Sequence, residues 1–230
     1  MSVLVYCNAV TINRLQAFSF YMSGNLHLEV MDTGTAVKQL LRAVHHPSTD
    51  YVIRREKAYV WLARGLLLEG EHVEPTMRTG LEEYPNSYEL AAMWGAIASV
   101  DADSTIRQVG FDSIREVEAY SELTRDELAE LMATNYQDVA ISLIRNGEYE
   151  RAITASHHSL AYQEKARGFF TLGSALLMLT SYPEAIEAFE MSTRLDADVA
   201  EPYHSLGLAL EKSGRQVEAE AAYSRASELQ

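Results

Sequence analysis

Apolar and small residues recur along the last third of the chain at helical spacing, and the pattern is written twice. Laying 166–199 over 200–230 brings Phe169 onto Tyr203, Leu172 onto Leu206, Gly173 onto Gly207 and Leu176 onto Leu210. Further on, Ala185 falls on Ala219, Phe189 on Tyr223 and Leu195 on Leu229, always 34 positions apart. A fixed period of this size marks a repeat architecture, in which each unit hides its apolar face only by stacking on the next. Within a unit the stripe keeps a helical period and is cut once by turn residues, so it predicts two helices.

Individual residues give this pattern a physical reason. Gly173 and Gly207 stand inside helical stretches, where Gly costs about 1 kcal/mol relative to Ala. A cost repeated at the same place implies close approach of a second helix, with Ala185 and Ala219 as the small residues facing it. Lys212-Ser213-Gly214 ends one helix with a Gly able to take positive φ. Ser181-Tyr182-Pro183-Glu184 reads as a Ser-x-x-Glu capping box with Pro in the first turn. Thr124-Arg125-Asp126-Glu127 reads as another, opening a helix that runs to Asn146-Gly147 and is longer than one unit needs.

The same pattern extends upstream. Residues 133–165 carry Tyr136, Val139, Ala140 and Leu143 on a first helix, Gly147 at the turn, and Ala152 and Ser159 at close-packing places. Residues 17–50 offer Phe20 and Gly24, then Ala36, Leu40 and Ala43, with Asp32-Thr33-Gly34 between and Pro47 closing. Residues 58–91 place Trp61 and Gly65 in the first helix and Met77, Leu81 and Tyr84 in the second. Residues 92–132 read as irregular helices, with Asp101-Ala102-Asp103-Ser104 as a helix start. Residues 1–16 read as a cap packed on the first unit, or as a docking segment.

The order aromatic, Leu-Gly, Leu, then Ala, aromatic resembles the tetratricopeptide repeat, a helix–turn–helix unit of the same length. The resemblance is dense over 133–165, 166–199 and 200–230 and sparse over 17–132. It implies one all-α domain over 1–230, a right-handed superhelical solenoid of antiparallel helix–turn–helix repeats. It also implies a protein-binding scaffold or adaptor rather than an enzyme, with a partner peptide or helix held against the first helices of the repeats.

Composition narrows this further. The hydrophobic fraction of 47% suffices for a substantial core. Nineteen Lys and Arg stand against 33 Asp and Glu, a net charge of -14. That balance disfavours nucleic acid and anionic membrane surfaces. Cys7 is the one cysteine, so no internal disulfide or cysteine-based zinc site can form. No stretch has the apolar length of a membrane span, and the start lacks a basic, long-cored leader. These features lead us to expect a cytoplasmic protein without membrane insertion.

No chemistry is legible. His45-His46 and His157-His158 are adjacent pairs, which diverge on a helix and do not chelate one ion. Zinc needs three or four ligands, and no further His or Cys lies at helical spacing nearby. Asp101-x-Asp103-x-Thr105 begins like a calcium loop but has Ile106 and Asp112 where Gly and Glu are required. Phosphate loops and nucleophile elbows are missing from the sequence. We therefore expect no catalytic residue, cofactor or metal.

The resemblance makes the first-helix positions the partner groove. They are Gln137, Ile141, Ile144, Arg167, Phe170, Ser174, Leu177, Met178, His204 and Leu208. The large apolar members among them suit an interaction face, and Met suits varied side chains. Chaperone-binding tetratricopeptide domains hold a terminal carboxylate with Lys, Asn and Arg. The equivalent places here are Gln137, Ile141, Thr171, Glu201 and Ser205, so that clamp is missing. Acidity and an apolar groove also resemble the chaperones of bacterial type III secretion, which shelter an apolar client segment. At the other end, Ala222, Tyr223, Ala226 and Leu229 would leave an apolar surface suited to homo-oligomer formation.

Overall fold

The computed structural model describes residues 2–29, 32–47, 49, 54–120 and 122–229. Among them stand twelve α-helices and no strand. They are α1 (Ser2–Glu29), α2 (Thr33–His45), α3 (Arg55–Glu69), α4 (Glu74–Glu83), α5 (Tyr88–Ser99), α6 (Ser104–Tyr120), α7 (Arg125–Arg145), α8 (Tyr149–Tyr162), α9 (Ala166–Met178), α10 (Tyr182–Leu195), α11 (Ala200–Lys212) and α12 (Gln216–Glu228). Two compact units divide the chain, one of 1–95 with 113–121 and one of 96–112 with 122–230.

In the first unit, α1 pairs with α2 and α2 with α3. Asp32 caps α2 by accepting from the Thr35 N–H at 3.3 Å, as its sequence position predicts. Gly24 allows α1 to seat Leu40, since a Cβ there would stand 2.5 Å from the Leu40 Cγ. Residues 2–16 continue the same helix as 17–29. The side chains of 1–13 lie outside the described residues, and with them most of the cap or docking segment expected over 1–16; Arg14, Leu15 and Gln16 are described and exposed. Gly65 occupies the small place of the repeat pattern but lies against Val37 and Leu28. Gly80 lies against Tyr59 and Leu90. Arg55 and the Tyr59 hydroxyl both donate to Glu83, at 2.8 and 2.9 Å, tying α3 to α4.

The second unit contains the clearest repeats. Helices α7 and α8, α9 and α10, and α11 and α12 form successive hairpins, and α8 and α10 pack on the hairpin that follows. A Cβ at Gly173 would stand 2.7 Å from the Phe189 ring, and one at Gly207 equally close to the Tyr223 ring. Each glycine therefore admits an aromatic ring from its paired helix, sixteen positions on in both hairpins. Ala185 and Ala219, the small residues expected on the facing helices, lie on those same paired helices, one turn before the ring. Both alanines are fully buried in the core with Ile186, Phe189, Leu206 and Leu210, and the ring fills the space above the glycine.

Two further devices recur. The Ser159 hydroxyl donates to the Ala133 carbonyl, and the Ser192 hydroxyl to the Ala166 carbonyl, each at 2.9 Å. Each bond joins a second helix to its own first helix, at the first residue of α9 but two turns into the longer α7, and Ala226 holds the corresponding place in the last hairpin. The turn inside each hairpin has one left-handed residue: Gly147 (φ 79°), Thr180 (φ 60°) and Gly214 (φ 81°).

Helix starts agree in part with the sequence. Thr124 and Glu127 form the reciprocal capping box, and the Asp103 carboxylate accepts from the N–H groups of Thr105 and Ile106. Ser181 does not cap: its side chain bonds no helical N–H, and Pro183 sits in the first turn instead. The 21-residue α7 exceeds the 13-residue α9 and α11, as its early start predicts. Its Tyr136 hydroxyl shares a 2.8 Å bond with Ser99, and Arg151 on α8 donates to the Val100 carbonyl at 2.9 Å. Gly110 lets α6 lie directly on the Ser99 backbone.

Candidate partner groove

First helices lie side by side in the second unit, with α9 touching both α7 and α11. All ten residues expected in the groove lie on these three helices. Gln137 is buried, and its amide donates to the Thr171 hydroxyl and, at 3.4 Å, to the Arg167 carbonyl. Thr171 in turn donates to the Arg167 carbonyl at 2.9 Å. Gln137 thus acts as a polar tie between α7 and α9. A buried amide must be satisfied within the protein, and this pair does it. The Gln137 and Thr171 positions therefore offer nothing to a terminal carboxylate.

The apolar members divide by depth. Phe170 and Leu177 are half-buried and pack against the core of α10, α11 and α12. The Phe170 ring lies 5.9 Å from the Phe189 ring, the same ring that covers Gly173. Ile141, Ile144, Ser174 and Leu208 are also half-buried, and the Ser174 hydroxyl donates to the Phe170 carbonyl at 2.8 Å. Met178 is 54% exposed and forms the open apolar point of the set. Arg167 and His204 are exposed, and the His204 ring tilts against Tyr223 at 5.4 Å.

The C-terminal residues expected to self-associate are mostly inside. Ala222 and Ala226 are buried, and Tyr223 and Leu229 half-buried. The Tyr223 hydroxyl donates to Glu211 at 2.9 Å. Burial first, and the Glu211 carboxylate second, push that phenol above its ordinary pKa.

The histidine pair also finds a structural place. His158 is half-buried, stacked 4.9 Å from the Tyr136 ring and edge-on to Phe111 at 6.4 Å. Burial, and then the neighbouring His157, hold its pKa below the usual histidine value. His157 is exposed. Among the described residues no group of three or more His, Cys, Asp or Glu is placed to hold a metal. No helix of the described residues is long and apolar enough to cross a membrane.

Comparison with solved structures identifies the same architecture. MamA 41-end from Desulfovibrio magneticus RS-1 is 14% identical and superposes over 93% of this chain and 94% of its own, with a TM-score of 0.51. A second structure of MamA is 20% identical over 80% of this chain and 94% of its own, with a TM-score of 0.50. The nearly identical TPR-like repeats assigned to a kinesin light chain of Podosopora anserina are 14% identical. They cover 92% of this chain and 93% of their own, with a TM-score of 0.54. No protein-family model matches the sequence, and no curated protein matches it significantly. At these identities the likeness establishes fold alone, and the fold is an all-α solenoid of tetratricopeptide-like repeats.

Proposed function

We propose that the chain is a non-enzymatic scaffold or adaptor, which binds a peptide or helix of another protein across the first helices of its C-terminal repeats. The observation that supports this reading is the run of α7, α9 and α11 side by side. It carries exposed Met178, Arg167 and His204 beside half-buried Ile141, Ile144 and Leu208. Repeat proteins use the extended surface of stacked units in this way. The proposed setting is the cytoplasm, in keeping with the lone cysteine.

The test is affinity capture with the intact chain, compared with Met178→Glu and with Arg167→Glu/His204→Glu. These positions are exposed, so the changes spare the core. Phe170 and Leu177 are poor choices, because a charge there would be pressed into the apolar cluster. Partners lost with the groove variants support the scaffold reading. Capture unchanged in both variants would remove the groove from it. A single secreted apolar client held one-to-one would instead indicate a secretion chaperone.

A further inference from the structure

The first helix carries an apolar stripe that stands about half in the open. Leu15, Phe18, Met22 and Leu26 of α1 are 63, 42, 48 and 57% exposed. Ala17, Gly24 and Leu28 are buried. Steps of three and four positions keep the four exposed side chains on neighbouring turns of one face. A row of large apolar groups in water marks an interaction surface.

Charge selects the occupant. Between Arg14 and Glu29 the helix contains no Asp, Glu, Lys or Arg. Residues 2–45 hold Arg14, Lys38 and Arg42 against Glu29 and Asp32, a net charge of +1, so the remaining residues carry -15 and the whole chain -14. Two copies of such a protein repel each other over most of their surface. The exposed face of α1 is a place where they can meet without bringing carboxylates together. An antiparallel arrangement also matches the side chains. With a two-fold axis beside Phe20 and Tyr21, Leu15 comes level with Leu26 of the second copy, and Phe18 nearly level with its Met22. The Arg14 end of one helix then meets the Glu29 end of the other.

We propose that two copies of this chain pair through α1, antiparallel about a two-fold axis, burying Leu15, Phe18, Met22 and Leu26 against their counterparts. The contact is isologous, so it closes on itself and forms a dimer rather than a filament. It is independent of the groove on the repeats.

Sedimentation of the full chain across a wide concentration range tests the pairing. The expected result is a shift from the 25.7 kDa monomer to twice that mass. Phe18→Glu/Met22→Glu sets like charges level across the axis and should weaken the dimer at least ~ten-fold, the effect of about 1.4 kcal/mol. Phe18→Lys/Met22→Glu sets opposite charges level and should restore it, which separates a lost contact from a lost fold. Val217→Glu, on a side chain 81% exposed in α12, should leave pairing unchanged. The lone Cys7 reports direction. Antiparallel pairing sets the two Cys7 positions about 27 helical residues, or about 40 Å, apart along the axis. Mild oxidation should then link no dimers through Cys7. A monomer at every concentration, a dimer untouched by Phe18→Glu/Met22→Glu, or efficient Cys7 cross-linking would each overturn the proposal.

Discussion

The Phe189 ring rests on the backbone of Gly173, so close that a Cβ would stand 2.7 Å from it. Phe189 is itself fully buried and cannot swing away. Gly173→Leu should therefore destabilise the protein by about 1–3 kcal/mol through overpacking. Gly173→Ala gains about 1 kcal/mol of helix propensity but still meets the ring, so its net effect should remain destabilising. Gly34→Ala is the control. Its nearest neighbour is the Glu69 carboxylate at 4.0 Å, and it should stabilise by up to about 1 kcal/mol. Thermal melts of the three variants check the order.

Thr180 holds the left-handed place that Gly147 and Gly214 fill in the other two hairpins. For a β-branched residue that conformation is strained, by about 1–2 kcal/mol. Glycine relieves the strain but frees the unfolded chain, which takes back about 0.5–1 kcal/mol. Thr180→Gly should raise stability by a net ~0.5–1 kcal/mol, while Gly214→Thr should lower it. Denaturant midpoints of the two variants should move in opposite directions.

Two helix starts with the same Ser/Thr-x-x-Glu signature should respond differently. The Thr124 hydroxyl accepts from the Glu127 N–H, and Glu127 returns a bond to the Thr124 N–H. The Thr124 hydroxyl also donates to the Glu127 carboxylate at 2.7 Å, and that bond first and the Thr124 N–H second hold the Glu127 carboxyl below its usual pKa. Thr124→Ala should cost about 1 kcal/mol. Ser181→Ala removes no cap bond and should cost much less. Helicity and melting of the two variants would separate them.

Stability should fall on mild acidification, in part through His158. Its folded pKa lies below the unfolded value because burial disfavours the charged ring. The unfolded chain then binds the proton more readily, so stability rises with pH across that window. The contribution is complete above about pH 6.5 and is lost as pH drops toward the lower folded pKa. His158→Gln should flatten this part of a pH–stability curve. The separate loss near carboxylate pKa values should persist, since Asp103, Glu127, Glu130 and Glu218 are all held below theirs.

Much of the fold was legible because the repeat writes each contact more than once. Gly173 and Gly207 could be recognised as close-packing sites, and Gly147 and Gly214 as turns, from spacing alone. What presses on those glycines was not legible, since small and large residues of the facing helix both recur with the same period. The groove was read by assuming that polar first-helix positions are wet. Gln137 breaks that assumption, because its amide is satisfied by Thr171 on the next first helix, a pairing that only neighbouring coordinates reveal. The α1 stripe escaped for another reason. Residues 15–28 carry no carboxylate, Lys or Arg, and their apolar side chains spread over well more than half of the helix circumference, so periodicity alone does not say which part of that arc faces the α2 helix. The serine bonds at Ser159 and Ser192 also went unread as bonds, although their recurrence 33 positions apart was a usable signal.

The serine bonds set an order of opening. Ser159 and Ser192 each clamp the base of a hairpin to a carbonyl of its first helix, whereas Ala226 can offer no such clamp between α12 and α11. Helix α12 is held instead by the Tyr223 ring over Gly207, the Glu211 bond, the Arg225 guanidinium 5.8 Å from the Tyr203 ring centre, and apolar burial. Amide protons of 216–228 should therefore exchange with solvent sooner than those of 182–195, and Ala226→Ser should slow them.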